Sequence, residues 1–387
     1  MKIALLTDGI YPYVMGGMQR HSFYLCKYFL QRGVEVDLYH TQWEVSEDIE
    51  ALSAFTEEEK IKLRSFVIPW PQSSGLPGHY VRASYAYSCK VYKEFKMRSL
   101  DADFIYIKGF AGWKLLEEKR KGLKIAPCGI KFHGYEMYQL APNWKVKLQH
   151  YLLRKPVKWN NMHAEYIFSY GGGISEIIEN LGIERERILE FPSGVEESWV
   201  AEKRTFVSTP RRFVFLGRYE RRKGIEELFS VLNNFSDTSR FEFHFIGPIP
   251  DHLQPKGDAF VFHGKVFDNQ KIKEILQSSD ALICPSYSEG MPNVILEAMA
   301  SGLYIIGTDV GAVSAMVSEE NGKLIPPANE EEIKQAIEEV LEMDDKILLQ
   351  KKNNSIKKIK SGFMWPEIIK QTLNKIEKIS SNSLAVS

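Results

Sequence analysis

Short apolar runs that end in glycine, proline or small polar residues recur along the whole chain, the pattern of buried parallel strands that lead into loops. In the first half they are Ile3-Ala4-Leu5-Leu6, Val34-Glu35-Val36-Asp37-Leu38-Tyr39, Phe104-Ile105-Tyr106-Ile107, Ile130-Lys131-Phe132, Tyr166-Ile167-Phe168 and Ile188-Leu189-Glu190-Phe191. In the second half they are Phe213-Val214-Phe215-Leu216, Phe241-Glu242-Phe243-His244-Phe245-Ile246, Phe260-Val261-Phe262, Ala281-Leu282-Ile283-Cys284, Tyr304-Ile305-Ile306 and Lys323-Leu324-Ile325. Helical periodicity lies between them, at residues 21–32 closed by Gly33, at 174–181, and at 330–342 after Pro326-Pro327. Two βα series in tandem predict two doubly wound α/β domains. The expected seam is the polar segment 196–212, in which residues 205–210 carry no strong pattern. Sheets of this kind bind ligands at the carboxyl ends of their strands, so two of them face to face make a cleft. The chemistry is expected in the loops that follow the strands.

Composition narrows the partners. The 387 residues, 44% of them hydrophobic, suffice for two to three cores. Fifty Lys plus Arg balance fifty Asp plus Glu, which argues against a general nucleic-acid or membrane-surface binder. The four cysteines, Cys26, Cys89, Cys128 and Cys284, have no paired spacing, so neither a zinc site nor a disulfide framework is indicated. No stretch approaches the ~18 apolar residues of a membrane span, and the first apolar run is too short for a signal peptide. The expected location is the cytosol.

Four loops carry candidate chemistry. After Cys284 comes Pro285-Ser286-Tyr287-Ser288-Glu289-Gly290-Met291-Pro292-Asn293, with Pro292 where a helix should start and Glu297 inside that helix. The helix N-terminus is a ready anion site, and Glu289 and Glu297 are placed to face one ligand; the alternative is a solvated loop acid and an ordinary helix acid. The segment Gly217-Arg218-Tyr219-Glu220-Arg221-Arg222-Lys223-Gly224 offers Arg218 and Lys223 to a diphosphate, with Arg221 and Arg222 read as surface cations. Gly16-Gly17, after the first strand, lets backbone approach a phosphate, or simply makes a tight turn. His133 stands at a strand end, as a functional or a structural histidine. The run Gly171-Gly172-Gly173 brings a loop close to acceptor or donor, or merely caps a turn, the second being the preferred reading.

In this order and at these positions, the segments resemble the retaining nucleotide-sugar glycosyltransferases of family 4 (glycosyl transferases group 1), over nearly the whole chain. The resemblance implies a GT-B fold: two Rossmann-like domains facing a central cleft, with a C-terminal helix that crosses back to the first domain. It divides the chain into an acceptor-side domain over 1–200, a donor-binding domain over 201–362 and a returning helix over 363–387, which leaves the second domain near Ser361-Gly362-Phe363-Met364-Trp365-Pro366. It assigns Glu289 to hydroxyls of the donor sugar, Glu297 to the nucleotide ribose, and Gly290, Met291, Pro292 and Asn293 to backbone contacts with sugar and phosphate. Gly217, Arg218 and Lys223 fall to the diphosphate, Gly16 and Gly17 to the loop above it, and His133 to the sugar near the reacting carbon; His133, Arg218, Lys223 and Glu289 form the catalytic set. The segment Phe191-Pro192-Ser193-Gly194-Val195-Glu196 departs from the family's Pro-Asn-Gly-Val-Asp, a change expected to touch the hinge and not the donor site.

The implied reaction moves a hexose or N-acetylhexosamine from a nucleotide diphosphate sugar to a hydroxyl of a sugar or lipid-linked acceptor, with retention, in bacterial-type polysaccharide or glycolipid assembly. Negative charge builds on the departing diphosphate, and cations with a helix N-terminus stabilise it without a metal or other cofactor. Closure of the two lobes around the donor is expected to assemble the site. A GT-B nucleotide-sugar epimerase and a non-catalytic sugar-nucleotide-binding protein are the alternatives; nucleic acid is not an expected partner.

For the acceptor, residues 82–158 hold 17 Lys or Arg and 6 Asp or Glu, a difference of +11. Within them Trp144 to Trp159 mix five cations with aliphatics and no acid, which suits a helix on an anionic membrane surface at the inner face, or a solvated helix packed on the core and interrupted by Pro156. Acceptor loops are expected over residues 43–78, between an acid-only stretch at 44–59 and the basic one.

Overall fold

The computed structural model of the chain describes residues 1–14, 16–41, 52–72 and 78–386. Residues 43–51 and 73–77 of the expected 43–78 acceptor loop lie outside the described residues, and with them the first half, 44–51, of the acid-only stretch. The first sheet contains β1 (Lys2–Leu6), β2 (Glu35–His40), β3 (Leu63–Val67), β4 (Phe104–Lys108), β5 (Cys128–Lys131), β6 (Tyr166–Ser169) and β7 (Ile188–Glu190). The second contains β8 (Arg211–Leu216), β9 (Phe241–Ile246), β10 (Phe260–Phe262), β11 (Ala281–Cys284), β12 (Tyr304–Thr308) and β13 (Gly322–Ile325). Their spatial orders are β3-β2-β1-β4-β5-β6-β7 and β10-β9-β8-β11-β12-β13, and every named strand pair is parallel.

Strand order reverses direction twice, between β1 and β4 and between β8 and β11. Loops diverge at such a point and leave a crevice at the strand ends. The Gly16-Gly17 loop follows β1, the Gly217–Gly224 loop follows β8 and the Glu289 loop follows β11, so the sequence motifs occupy the two crevices. The apolar runs are continuous because both sheet faces are covered: β4 is buried at all five positions and β12 at all five.

The strand that the apolar pattern does not reveal is β3. Leu63-Arg64-Ser65-Phe66-Val67 lies at the sheet edge, where one buried position is enough, and its Arg64 reaches back to the Asp37 carboxylate (Nε to Oδ1 2.6 Å). The helix expected over 21–32 begins earlier, at Gly17 (Gly17–Gln31), one turn ahead of the apolar periodicity. Pro156 does not interrupt its helix, which runs over Trp144–His163. A proline removes the hydrogen bond to the carbonyl four residues back and crowds that carbonyl, here that of the exposed Leu152.

The helix Asp345–Gly362 packs on the second domain, and the last helix, Trp365–Val386, crosses back to the first. Ile369, Leu373, Ile376 and Ile379 join the first-domain core beside β1 and helix Gly17–Gln31. Trp365, 1% exposed, anchors the crossing: its ring stacks on Tyr28 at 6.1 Å, edges onto His21 at 5.3 Å, and leaves no room for a Cβ at Gly194 (3.0 Å). Backbone bonds Val195 N to Phe363 O (2.9 Å) and Trp365 N to Val195 O (3.3 Å) tie the two crossing segments together.

Candidate active site

Glu289 is built into the cleft from both sides. The loops after β8 and β11 touch backbone to backbone: Gly224, at φ +66°, would drive a Cβ into the Pro285 carbonyl, and Tyr287 N donates to Arg222 O at 2.8 Å. This contact sets Lys223 Nζ 2.6 Å from Glu289 Oε1, while Ser286 Oγ donates to the same oxygen at 2.7 Å. From the first domain, Gln139 accepts from Glu289 N (3.2 Å) and donates to Glu289 O (2.7 Å). Burial alone would raise the Glu289 carboxyl, but the Lys223 and Arg222 charges and the two side-chain hydrogen bonds outweigh it and hold the group below its ordinary value. The carboxylate is therefore ionised at neutral pH and held in place by Lys223 and Ser286.

The domains meet most tightly at Gly290. A Cβ there would run into the carbonyl oxygen of His133, so the first-domain loop after β5 lies directly on the Glu289-Gly290 peptide. His133 is half-buried; Tyr170 Oη lies 2.7 Å from its Nδ1, and Lys131 Nζ sits 3.7 Å over the Tyr170 ring. Burial first, then the charges of Lys108 and Lys131, push His133 well below the usual imidazole range, so it is a neutral ring whose Nε2 faces the cleft. A Cβ on Gly17 would lie 4.0 Å from that Nε2 and 3.7 Å from Asn293 Nδ2, which places the Gly16-Gly17 turn, His133 and Asn293 around one point.

Two helices begin there without a side-chain cap: Gly17–Gln31, preceded by Gly16, and Asn293–Ala300, preceded by Pro292. Their first-turn N–H groups and positive dipole ends favour an anion between the lobes. Glu297, a turn further on, is largely buried and pushed up to about 7 by that burial, partly offset by Arg20. Arg20 reaches from the first domain to Glu297 (3.4 Å) and to Asn269 (3.1 Å).

The structure thus brings together Gly16, Gly17, His133, Lys223, Glu289, Gly290, Met291, Pro292, Asn293 and Glu297. Arg218 stands apart: its side chain is 70% exposed and paired with Glu220 at 2.9 Å, while Gly217 is pressed against Gly247 at the β9 end. Three expectations are corrected. Arg221 and Arg222 are not free surface cations, since Arg222 donates to Ser288 O (2.9 Å) and lies 3.6 Å from Glu289, and Arg221 grips Glu227 under the Tyr287 ring. Gly172 and Gly173 do more than cap a turn: Gly173 would place a Cβ 2.9 Å from Gly311 O, so these glycines let the lobes close. Ser193 does not stay in the hinge, because its N–H points to Met291 Sδ (3.1 Å) and its hydroxyl to Asn293 Oδ1 (3.4 Å). Sequence reading also missed Gln139, Tyr170 and Arg20. Gln139 lies in no motif, whereas Arg20 follows the glycine pair on the helix face one turn in.

Among the described residues, no three His, Cys, Asp or Glu side chains gather to hold a metal ion, and no helix is long and apolar enough to cross a membrane.

The architecture is the GT-B fold: sucrose-phosphate synthase from Thermosynechococcus elongatus superposes with a TM-score of 0.76 over 100% of both chains at 17% identity. Residues 210–343 match the family described as Glycosyl transferases group 1, which places such a domain in the second half of the chain. The chain is similar to the putative teichuronic acid biosynthesis glycosyltransferase TuaC of Bacillus subtilis, 32% identical over 43% of this chain and 41% of that one. It is also similar to N,N'-diacetylbacillosaminyl-diphospho-undecaprenol alpha-1,3-N-acetylgalactosaminyltransferase of Campylobacter jejuni, 25% identical over 51% and 53%. These matches span about half the length of the curated relatives or less.

Proposed function

We propose that this protein is a retaining glycosyltransferase that moves a hexose or N-acetylhexosamine from a nucleotide diphosphate sugar to a hydroxyl acceptor in bacterial glycan assembly. The observation that carries the proposal is the convergence, from two crevices, of the Glu289–Lys223 pair, neutral His133 and two uncapped helix N-termini on one point of the cleft. Glu289 accepts from donor-sugar hydroxyls, Glu297 from the ribose, and Lys223 with the helix ends faces the diphosphate, where charge develops as the glycosidic bond breaks. Lys223 has three N–H donors and spends one on Glu289. Arg218, exposed on its turn, reaches the outer phosphate oxygens when the lobes part to admit the donor. The site so read takes no metal. The pocket lined by Asn293 and Glu297 encloses about 20 Å³, room for a single water, which supports an opening and closing cycle.

The test is acceptor dependence. Purified protein given a nucleotide diphosphate sugar is expected to release nucleoside diphosphate only when acceptor is added. Epimerised donor without acceptor would identify the GT-B epimerase instead, and tight binding with no turnover a sugar-nucleotide-binding protein.

The exposed face of helix Trp144–His163 supports a lipid-linked acceptor at the inner membrane face. Trp144, Leu148, Tyr151 and Leu152, which share one helical stripe, are 70%, 58%, 63% and 44% exposed, and all five cations of the segment also face outward. The Campylobacter relative is named for a diphospho-undecaprenol acceptor, which agrees with this placement. Co-sedimentation with vesicles is expected when they contain anionic lipid and not when they are zwitterionic; binding indifferent to lipid charge would overturn it.

A further inference from the structure

Each of the two donor-side acids is met from the first domain, and in opposite ways. Gln139 clasps the peptide of Glu289, donating to its carbonyl oxygen at 2.7 Å and accepting from its N–H at 3.2 Å, without touching its carboxylate. Arg20 instead meets the carboxylate of Glu297 itself, Nη1 to Oε1 3.4 Å. Its Nη2 donates to Asn269 Oδ1 at 3.1 Å, at the start of the helix Asn269–Ser278. The first clasp is compatible with a bound donor; the second is not. Arg20 and Glu297 line one recess of about 20 Å³, which holds a single water and no sugar ring. For a ribose to reach the Glu297 carboxylate this pair must break, whether the side chain swings away or the lobes part.

The released guanidinium has a second anion at hand. The helices Gly17–Gln31 and Asn293–Ala300 start side by side, since a Cβ on Gly17 would lie 3.7 Å from Asn293 Nδ2. Arg20 is three residues into the first helix and Glu297 four into the second, so their pair bridges the helices one turn beyond that shared start. Along the axis Arg20 is about 4.5 Å from Gly17, and helical side chains lean back toward the N-terminus. The two uncapped helix ends, where the proposed function puts the diphosphate, are thus within the span of its side chain. The pair with Glu297 is long, single-pronged and part-exposed, Arg20 at 30%, so little is lost when it breaks. Phosphate oxygens, by contrast, take a guanidinium on two parallel N–H donors.

We propose that Arg20 exchanges partners when the donor binds: it holds Glu297 while the site is empty and passes to the diphosphate once ribose hydroxyls occupy Glu297. Arg20 is then a donor-binding cation beside Lys223 and Arg218 that comes from the opposite lobe, and full closure depends on the phosphates of the donor. The inference rests on the glycosyltransferase reading and deepens it by naming a residue that recognises the donor across the cleft.

Calorimetric titration of the wild-type protein with UDP, GDP, ADP, CDP and dTDP identifies the base that binds, and NMR titration with the matching nucleoside reports on base and ribose alone. Arg20→Met is expected to weaken the nucleoside diphosphate about ten-fold or more, the worth of one charge-assisted hydrogen bond. The nucleoside is expected to bind that variant as well as before or better, because Glu297 has been freed. Arg20→Lys keeps the charge without the fork and is expected to recover part of the loss. If Arg20 merely closes the empty site, Arg20→Met binds the diphosphate equally or more tightly, and the proposal is overturned. An equal loss for nucleoside and diphosphate, the mark of a disturbed lobe, overturns it as well. Should Arg20→Met fail to fold, the same comparison in Arg20→Lys decides, with the diphosphate alone weakened. Absence of diphosphate binding to the wild type sinks the transferase reading, whereas binding that is indifferent to Arg20 sinks only this inference.

Discussion

Glu289→Gln is expected to lower turnover by about 10²–10³-fold, the loss typical of removing one preorganised electrostatic contact at a reacting centre. Glutamine keeps the size of the side chain and can still meet Ser286 and Lys223, so what is removed is the charge. Lys223 then stands 17% exposed beside a neutral amide, with Arg222 adding a second cation 3.6 Å from the former carboxylate. Truncating one partner of a fully buried pair costs about 3–5 kcal/mol; residual solvent access at Lys223 keeps this one at the lower end. Steady-state kinetics beside thermal melting separate the two effects. A rate within ten-fold of wild type in a folded Glu289→Gln protein would remove Glu289 from the machinery. Arg218→Ala makes a useful companion, because an exposed side chain that among the described residues pairs with Glu220 alone leaves melting unchanged, and any fall in its turnover reads ligand contact directly.

Gly290→Ala is expected to hold the two lobes apart. The added Cβ has no free direction: it meets the His133 carbonyl oxygen and, at 3.3 Å, the Gly134 Cα, both backbone atoms of the other domain. Neither domain core contains this contact, so each should fold, while the interface that includes Gln139–Glu289 and Gly173–Gly311 cannot close. Misplacing reacting groups by about 1 Å can cost 10²-fold in rate, and at least that loss is expected here. Small-angle scattering should report a larger radius of gyration than wild type with nucleotide sugar bound. Gly362→Ala, whose Cβ would meet nothing within 4 Å, is the control. Wild-type turnover and scattering in Gly290→Ala would show that this approach is not used in catalysis.

Much of the fold is written in local pattern. Parallel strands covered on both faces must be apolar throughout, so β4, β8, β11 and β12 announce themselves, and the Pro292 and Gly33 boundaries follow from backbone chemistry that neighbours cannot override. The edge strand β3 escapes because an edge needs one buried side chain and tolerates Arg64 and Ser65. The helix through Pro156 escapes because a single lost hydrogen bond on an exposed turn is affordable where Val157, Asn160 and Asn161 are packed.

The candidate site divides along the same line. Glu289, Glu297, Gly16-Gly17, His133 and Lys223 are legible because loop chemistry at strand ends is confined to short segments, each readable by itself. Arg222 and Lys223 are adjacent cations with identical local pattern, and only the turn geometry of residues 221–223 directs both toward Glu289. Gln139, Arg20 and Ser193 act across the cleft, at sequence separations of 150, 277 and 100 residues from their partners.

By itself, then, the sequence determined two doubly wound sheets, the loops that hold the chemistry and the absence of net charge, because each of these depends on residues close together in the chain. Only the tertiary structure decided which cations are paired, which glycines admit the opposite lobe, and that Arg20 of the first domain stands against Glu297 of the second. Pairing, close approach and burial are properties of segments brought together from distant parts of the chain, and no local pattern contains them.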